Sequence, residues 1–199
     1  MSHCFKRLWM APLLATTILL VAAGSALALV ITGTESRDRI IGSRGADTID
    51  AKGGPDVVFA LAGADAVTGG EGDDRIHAGA GDDTVDAGPG FDRVRGRAGN
   101  DVIRGGEGFD VLHAGRGADT LWGGPGNDRL TARVRGDASD NVNGDEGDDR
   151  ILVRDGVRDV VTCGAGIDRV RADFADDVAA DCERVARHTP RPSSVPRSE

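Results

Sequence analysis

Apolar residues follow two patterns along this chain. From Leu8 to Ala23 they form a nearly continuous run. Beyond it large apolar residues are sparse, and one aliphatic recurs at a fixed interval of nine: Ile40, Ile49, Val58, Val67, Ile76, Val85, Val94, Ile103, Leu112, Leu121 and Leu130. This interval predicts a three-residue strand centred on each inward-pointing aliphatic, with six-residue turns between strands. Two residues ahead of each aliphatic stands an aspartate: Asp38, Asp47, Asp56, Asp65, Asp74, Asp83, Asp92, Asp101, Asp110, Asp119 and Asp128. Two residues ahead of each aspartate, from Asp47 onward, stands a glycine: Gly45, Gly54, Gly63, Gly72, Gly81, Gly90, Gly99, Gly108, Gly117 and Gly126. Three coincident ladders at one period exclude compositional accident and mark a repeat architecture.

The unit reads G-G-x-G-x-D-x-U-x, with U aliphatic. Clean copies are Gly69-Gly70-Glu71-Gly72-Asp73-Asp74-Arg75-Ile76, Gly105-Gly106-Glu107-Gly108-Phe109-Asp110-Val111-Leu112 and Gly123-Gly124-Pro125-Gly126-Asn127-Asp128-Arg129-Leu130. Glycine tolerates positive φ and lets backbone approach an ion closely. A nine-residue unit is half a coil, so residues eighteen apart stack as parallel strands about 4.8 Å apart. Asp38, Asp56, Asp74, Asp92, Asp110 and Asp128 then share one edge; Asp47, Asp65, Asp83, Asp101 and Asp119 share the other.

The unit resembles the RTX, or hemolysin-type, calcium-binding nonapeptide repeat, strongly over residues 33–131 and weakly over 135–183. The resemblance implies an all-β fold: a right-handed parallel β-roll, a solenoid with two nonapeptides per coil. It also implies Ca²⁺ as the cofactor. The residues support that choice independently. Carboxylates stacked at strand spacing repel one another, and a hard divalent cation between each pair reverses the sign. Ca²⁺ takes six to eight oxygens in flexible geometry, whereas Mg²⁺ demands a tighter octahedron. The turns hold neither His nor Cys for a softer metal. The expected ligands are Asp47 to Asp128 with Gly45 to Gly126, and more weakly Asp38, Asp149 and Asp168. Same-edge pairs predict about eight ions, with Kd on the order of 10⁻⁴ M. The competing reading has each Asp hydrogen-bond the backbone of its own turn, above all in the outermost copies. One aliphatic per nine residues gives little burial to offset backbone ordering, so calcium is expected to fold the chain.

After Leu130 the register slips. Asp140 follows Asp128 by 12 residues, Asp149 follows at nine, Asp159 at ten and Asp168 at nine. Ala138 and Val157 replace the glycines before Asp140 and Asp159. Residues 135–187 therefore read as degenerate repeats capping the roll at 29–134. Cys163 and Cys182, about one coil apart, would staple that cap with a disulfide. A reactive or metal-binding thiol is the alternative, although no His or further Cys sits at ligand spacing. Residues 188–199, with Pro190, Pro192, Pro196, Ser193 and Ser194, read as a disordered tail.

Charge and composition narrow the function. The 199 residues carry net charge −9 with 30 Gly and no Tyr, and Asp supplies most of the 33 acids. So acidic a chain argues against nucleic acid as partner. Arginine is the main cation: Arg75, Arg93 and Arg129 share one outward strand position, and Arg95 and Arg104 occupy the other. They read as a solvent-facing balance to the acidic turns, with a polyanion-gripping stripe as the alternative. His77 and His113 flank Arg95 on one face, and Phe59 and Trp122 point outward. With His3 and His188 these are all the histidines, and no H-E-x-x-H or G-x-S-x-G motif occurs, so the chain is not expected to be an enzyme.

At the N-terminus Lys6 and Arg7 precede the apolar run, and Ala26-Leu27-Ala28 is a small-x-small cleavage site. Residues 1–28 read as a secretory signal peptide, leaving Leu29 as the mature N-terminus. The alternative is an uncleaved anchor facing outside. No second apolar stretch follows, so insertion into a membrane after cleavage is not expected. The functional reading is a secreted calcium-binding protein, with a calcium-dependent adhesin or matrix-binding protein as the alternative. Its oligomeric state is open.

Overall fold

The computed structural model describes residues 17–19, 27–134 and 138–188. Every regular element among them is a β-strand, and all strand pairs are parallel. Successive strands alternate between two sheets, one of ten strands and one of nine. Thr48–Asp50 lies in the nine-stranded sheet, Val57–Ala62 in the ten-stranded one, and Ala66–Thr68 in the first again. Two nonapeptides thus complete one coil, as the repeat predicts. The pairings Val57↔Arg75↔Arg93↔Val111↔Arg129 and Thr48↔Ala66↔Thr84↔Val102↔Thr120 run without a slip.

The aliphatic ladder forms the core. Ile40, Val58, Ile76, Val85, Val94, Ile103, Leu112, Leu121 and Leu130 are fully buried. Two positions on, the next inward residue in the roll is small: Ala51, Ala60, Ala78, Ala87, Ala114 and Ala132 are buried, and glycines fill the rest of that column as far as Ala132. The sheets can therefore close on one another at the turns, leaving a core one large side chain wide.

In the ten-stranded sheet, strands such as Arg75–Ala80, Arg93–Ala98 and Val111–Arg116 run six residues, not the expected three. Pairing continues past the small inward residue through Leu61↔Gly79↔Arg97↔Gly115. The backbone there takes positive φ, which Leu61 and Arg97 adopt as well as the glycines.

The C-terminal third keeps both sheets. Asn141–Glu146 and Val160–Ala165 extend one; Arg150–Val153, Arg169–Asp173 and Arg184–His188 extend the other. Coil length changes to 21 and then 19 residues, and to 17 and 15 at the end. Cys163 occupies the inward small-residue column and is joined to Cys182, with their Cα atoms 5.2 Å apart. His188, expected to open the tail, instead ends the last strand, and residues 189–199 lie outside the described residues. The expected leader also lies mostly outside them, apart from Thr17–Leu19, which pairs with Arg39–Ile41, and residues 27–28.

The two outer faces differ in charge. The ten-stranded sheet stacks Arg75 beside Arg93, and Arg129, Arg150, Arg169 and Arg184 in one column, all exposed. The matching column of the other sheet is Thr48, Ala66, Thr84, Val102 and Thr120. His77 and His113 flank Arg95 as expected, and Phe59 stacks on His77 at 4.9 Å. Arg104 shares Arg95's place in the repeat but lies on the opposite sheet, over Trp122 at 4.6 Å.

Candidate metal centre

Each repeat aspartate precedes a strand and shares the parity of the aliphatic two residues on, so its side chain points inward at the edge of the roll. All of them, Asp38 to Asp128, are at most 2% exposed. On one edge the amide N–H of Asp56 donates to Asp74 Oδ1 (2.8 Å), that of Asp74 to Asp92 (2.7 Å), and those of Asp92 and Asp110 to Asp110 and Asp128 (both 2.8 Å). On the other, Asp47, Asp65, Asp83 and Asp101 donate in the same way to Asp65, Asp83, Asp101 and Asp119. Each carboxylate is thus bonded to the coil before it, not to its own turn.

That bond uses only Oδ1. Oδ2 of Asp56, Asp65, Asp74, Asp83, Asp92, Asp101, Asp110 and Asp128 is buried with no hydrogen-bond partner. An unpaired buried carboxylate oxygen is costly unless the group takes a proton or a cation. Burial pushes Asp92 up to about 8, Asp101 and Asp128 to about 7, and Asp56, Asp74, Asp83 and Asp110 to about 6.

The outermost copies differ: Asp38, expected to be a weaker ligand, and Asp47, expected to be a full one, both have Oδ2 engaged. Asp38 Oδ2 accepts from the Thr34 N–H and hydroxyl, and Asp47 Oδ2 from the Ser43 N–H at 2.5 Å. Asp47 Oδ1 accepts from Leu29 N–H, so both of its oxygens are engaged.

The glycines ahead of the aspartates stack as tightly. A Cβ on Gly90 would lie 2.0 Å from the Gly72 carbonyl oxygen, and one on Gly108 1.8 Å from that of Gly90. Gly81 and Gly99 meet the carbonyls of Gly63 and Gly81 in the same way on the other edge. Their φ values are positive, except at Gly90. Each edge therefore sets a column of glycine carbonyls beside a column of buried carboxylates. This is an all-oxygen donor set, and it fits a hard divalent cation of the Ca²⁺ type.

Asp149 and Asp168, ranked weaker from sequence, continue their column: Asp128 N–H donates to Asp149 Oδ1 and Asp149 N–H to Asp168 Oδ1, both at 2.8 Å. Asp140 and Asp159 join the other column despite their irregular spacing. Sequence reasoning left them out because the preceding glycine is lost. The retained Asp-x-aliphatic pairs, Asp140 with Val142 and Asp159 with Val161, were the signal for them. Glu183 Oε2 and Asp176 Oδ1 accept the last N–H groups, from Asp168 and Asp159, and close the two columns.

No curated protein matches the chain. The family profile of the RTX calcium-binding nonapeptide repeat matches it in four copies, at residues 30–58, 59–94, 95–130 and 135–157. These segments span most of the roll, and the repeats imply calcium binding. By these matches and this geometry, the chain belongs to the family of RTX calcium-binding nonapeptide repeat proteins.

Proposed function

We propose that this is a secreted calcium-binding protein in which Ca²⁺, held in the Gly/Asp turns, drives the roll to fold and holds it folded. The carrying observation is the run of buried carboxylates with one oxygen unpaired. Asp56, Asp74, Asp92, Asp110 and Asp128 would hold ions along one edge, and Asp65, Asp83, Asp101 and Asp119 along the other, with the stacked glycine carbonyls as further donors. The ion supplies the positive charge these side chains lack. The thin core alone gives each coil little to offset the ordering of its backbone. No catalytic role is assigned.

Export rests on the sequence, Lys6 and Arg7 ahead of the apolar run and Ala26-Leu27-Ala28 after it. Leu27 is exposed and Leu29 N lies 2.7 Å from Asp47 Oδ1. Cleavage after Ala28 would turn that amide into an ammonium group paired with Asp47 in the first coil. Calcium titration of the stripped protein, by calorimetry and circular dichroism together, tests the main reading. Multiple bound ions with coil turning to β support it; β structure complete in chelator with no uptake overturns it.

A second reading, a calcium-dependent adhesin, is favoured by the confinement of stacked arginines to one outer face. It predicts calcium-dependent, salt-sensitive retention on an anionic cell-envelope fraction. Equal retention with and without calcium removes it.

A further inference from the structure

In the cap, one turn gathers carboxylates as no other described turn does. Asp140, Asp155 and Asp159 each bring an oxygen within 4.8 Å of the others. Asp140 and Asp159 are stacked members of the aspartate column, joined by the Asp140 N–H to Asp159 Oδ1 bond at 2.9 Å. Asp155 comes from the turn between Val153 and Asp159, four residues beyond the aliphatic Ile151. The turns ahead of Asp65, Asp83, Asp101 and Asp119 place Ala62, Ala80, Ala98 and Arg116 at that position, where none offers a third carboxylate. The turn also holds one residue more than the regular unit. Val157 N–H donates to Asp155 Oδ1 at 2.7 Å, and Gly156 N–H to Asp173 Oδ2 at 2.8 Å, which fixes the bend that carries Asp155.

A second observation points to a ligand. Asp159 is fully buried, and its Oδ2 has no hydrogen-bond partner. Its surroundings are acidic: burial first, then Asp155, Asp140 and Asp176, push its carboxyl up to about 8. Of the neighbouring cations, Arg158 is exposed and engaged with Asp177 at 3.0 Å across the coil, and Arg187 donates to the backbone carbonyls of Asp173 and Asp176. Three converging carboxylates with no soft donor suit a hard divalent ion, and affinity at oxygen sites rises with the number of ligand charges.

We propose that Asp140, Asp155 and Asp159 form a separate calcium site in the cap, tighter than the sites of the repeats. It stands on its own side chains, with Asp155 in place of the glycine-carbonyl cradle that this turn has lost. It fills before the roll does.

The test is calcium titration of the stripped, disulfide-intact full protein by calorimetry. The wild type should show one step at least tenfold tighter than the remaining uptake. Asp155→Asn should abolish that step and leave the weaker class unchanged in number and affinity. Asp155→Ser, which keeps an acceptor for the Val157 N–H, should do the same, so that the loss follows the charge and not the turn. Asp83→Asn in the central roll should keep the tight step and reduce only the weak class. A tight step that survives both Asp155 variants overturns the proposal. Weak uptake with no tight step in the wild type overturns it while leaving the repeat reading intact; no uptake at all overturns both.

Discussion

The central roll and its cap solve one stacking problem by different means. Between Asp47 and Asp128 every coil is eighteen residues long, and backbone meets backbone at glycine with no room for a Cβ. In the cap the coils vary from 15 to 21 residues, and the inward column holds Val153 and Cys163 where the roll has Ala or Gly. Yet the aspartate bonds run through both regions without a break. The ladder of carboxylate to N–H therefore depends on the Asp-x-aliphatic pair that opens each strand. The glycines set how closely the turns nest: Gly147, Gly164 and Gly166 keep that nesting in part of the cap, the turn at Gly156 lacks it, and a disulfide ties the last coils together.

The largest effect that would break this comparison is calcium removal. In excess chelator at pH 8 the roll should lose most of its β circular dichroism, while the Cys163–Cys182 loop stays closed; a spectrum that does not change would make the two regions equally self-sufficient.

Next comes glycine substitution. Gly108→Ala forces a Cβ to within 1.8 Å of a backbone oxygen at positive φ, and should cost about 4 kcal/mol or more in calcium-saturated thermal or urea melts. Gly156→Ala in the cap also has positive φ but meets nothing within 4 Å, and should cost only about 1 kcal/mol. Equal losses would remove nesting as the difference between the regions.

The staple ranks third. Replacing Cys163 and Cys182 by Ala should destabilise by roughly 3 kcal/mol, visible as earlier proteolysis of 138–188 than of the roll.

A further effect is that of pH on the calcium-free protein. In the folded roll burial pushes Asp56, Asp74, Asp83 and Asp110 up to about 6, Asp101 and Asp128 to about 7 and Asp92 to about 8, against near 4 when unfolded, so the folded state binds more protons between those values. Metal-free stability should therefore fall as pH rises from about 4 to 8. With calcium bound the carboxylates must be ionised, and the trend should reverse. The β circular dichroism of the chelated protein at pH 5 and pH 8 checks the first trend, with more β expected at pH 5, and urea midpoints at the same two pH values in calcium check the second.

Much of this was legible in the sequence. The nine-residue interval of Ile and Val gave the strands, the inward column and the eighteen-residue coil. The Asp ladder gave both edges, and the cysteine spacing gave the staple. What the sequence did not reveal was the partner of each carboxylate. The Asp-to-Asp N–H bond exists only because coils stack in register, a relation eighteen residues long with no local trace. Asp155 was passed over for a related reason: its place beside Asp140 and Asp159 depends on how a turn with one extra residue bends. The six-residue strands were missed because pairing resumes through positive-φ residues such as Leu61 and Arg97, which intrinsic preference would put outside a strand.

The alternation of sheets also limits how such a chain can change length. A duplication of eighteen residues would add one coil and leave every face where it is. A duplication of nine would carry all that follows onto the opposite sheet. The arginine column from Arg129 to Arg184 would then continue the threonine face, and each aspartate column would cross to the other edge. Lengths that keep the faces intact therefore come in whole coils. The cap obeys the same rule in another way: its coils change length, but its strands keep alternating between the two sheets and strand order is never exchanged.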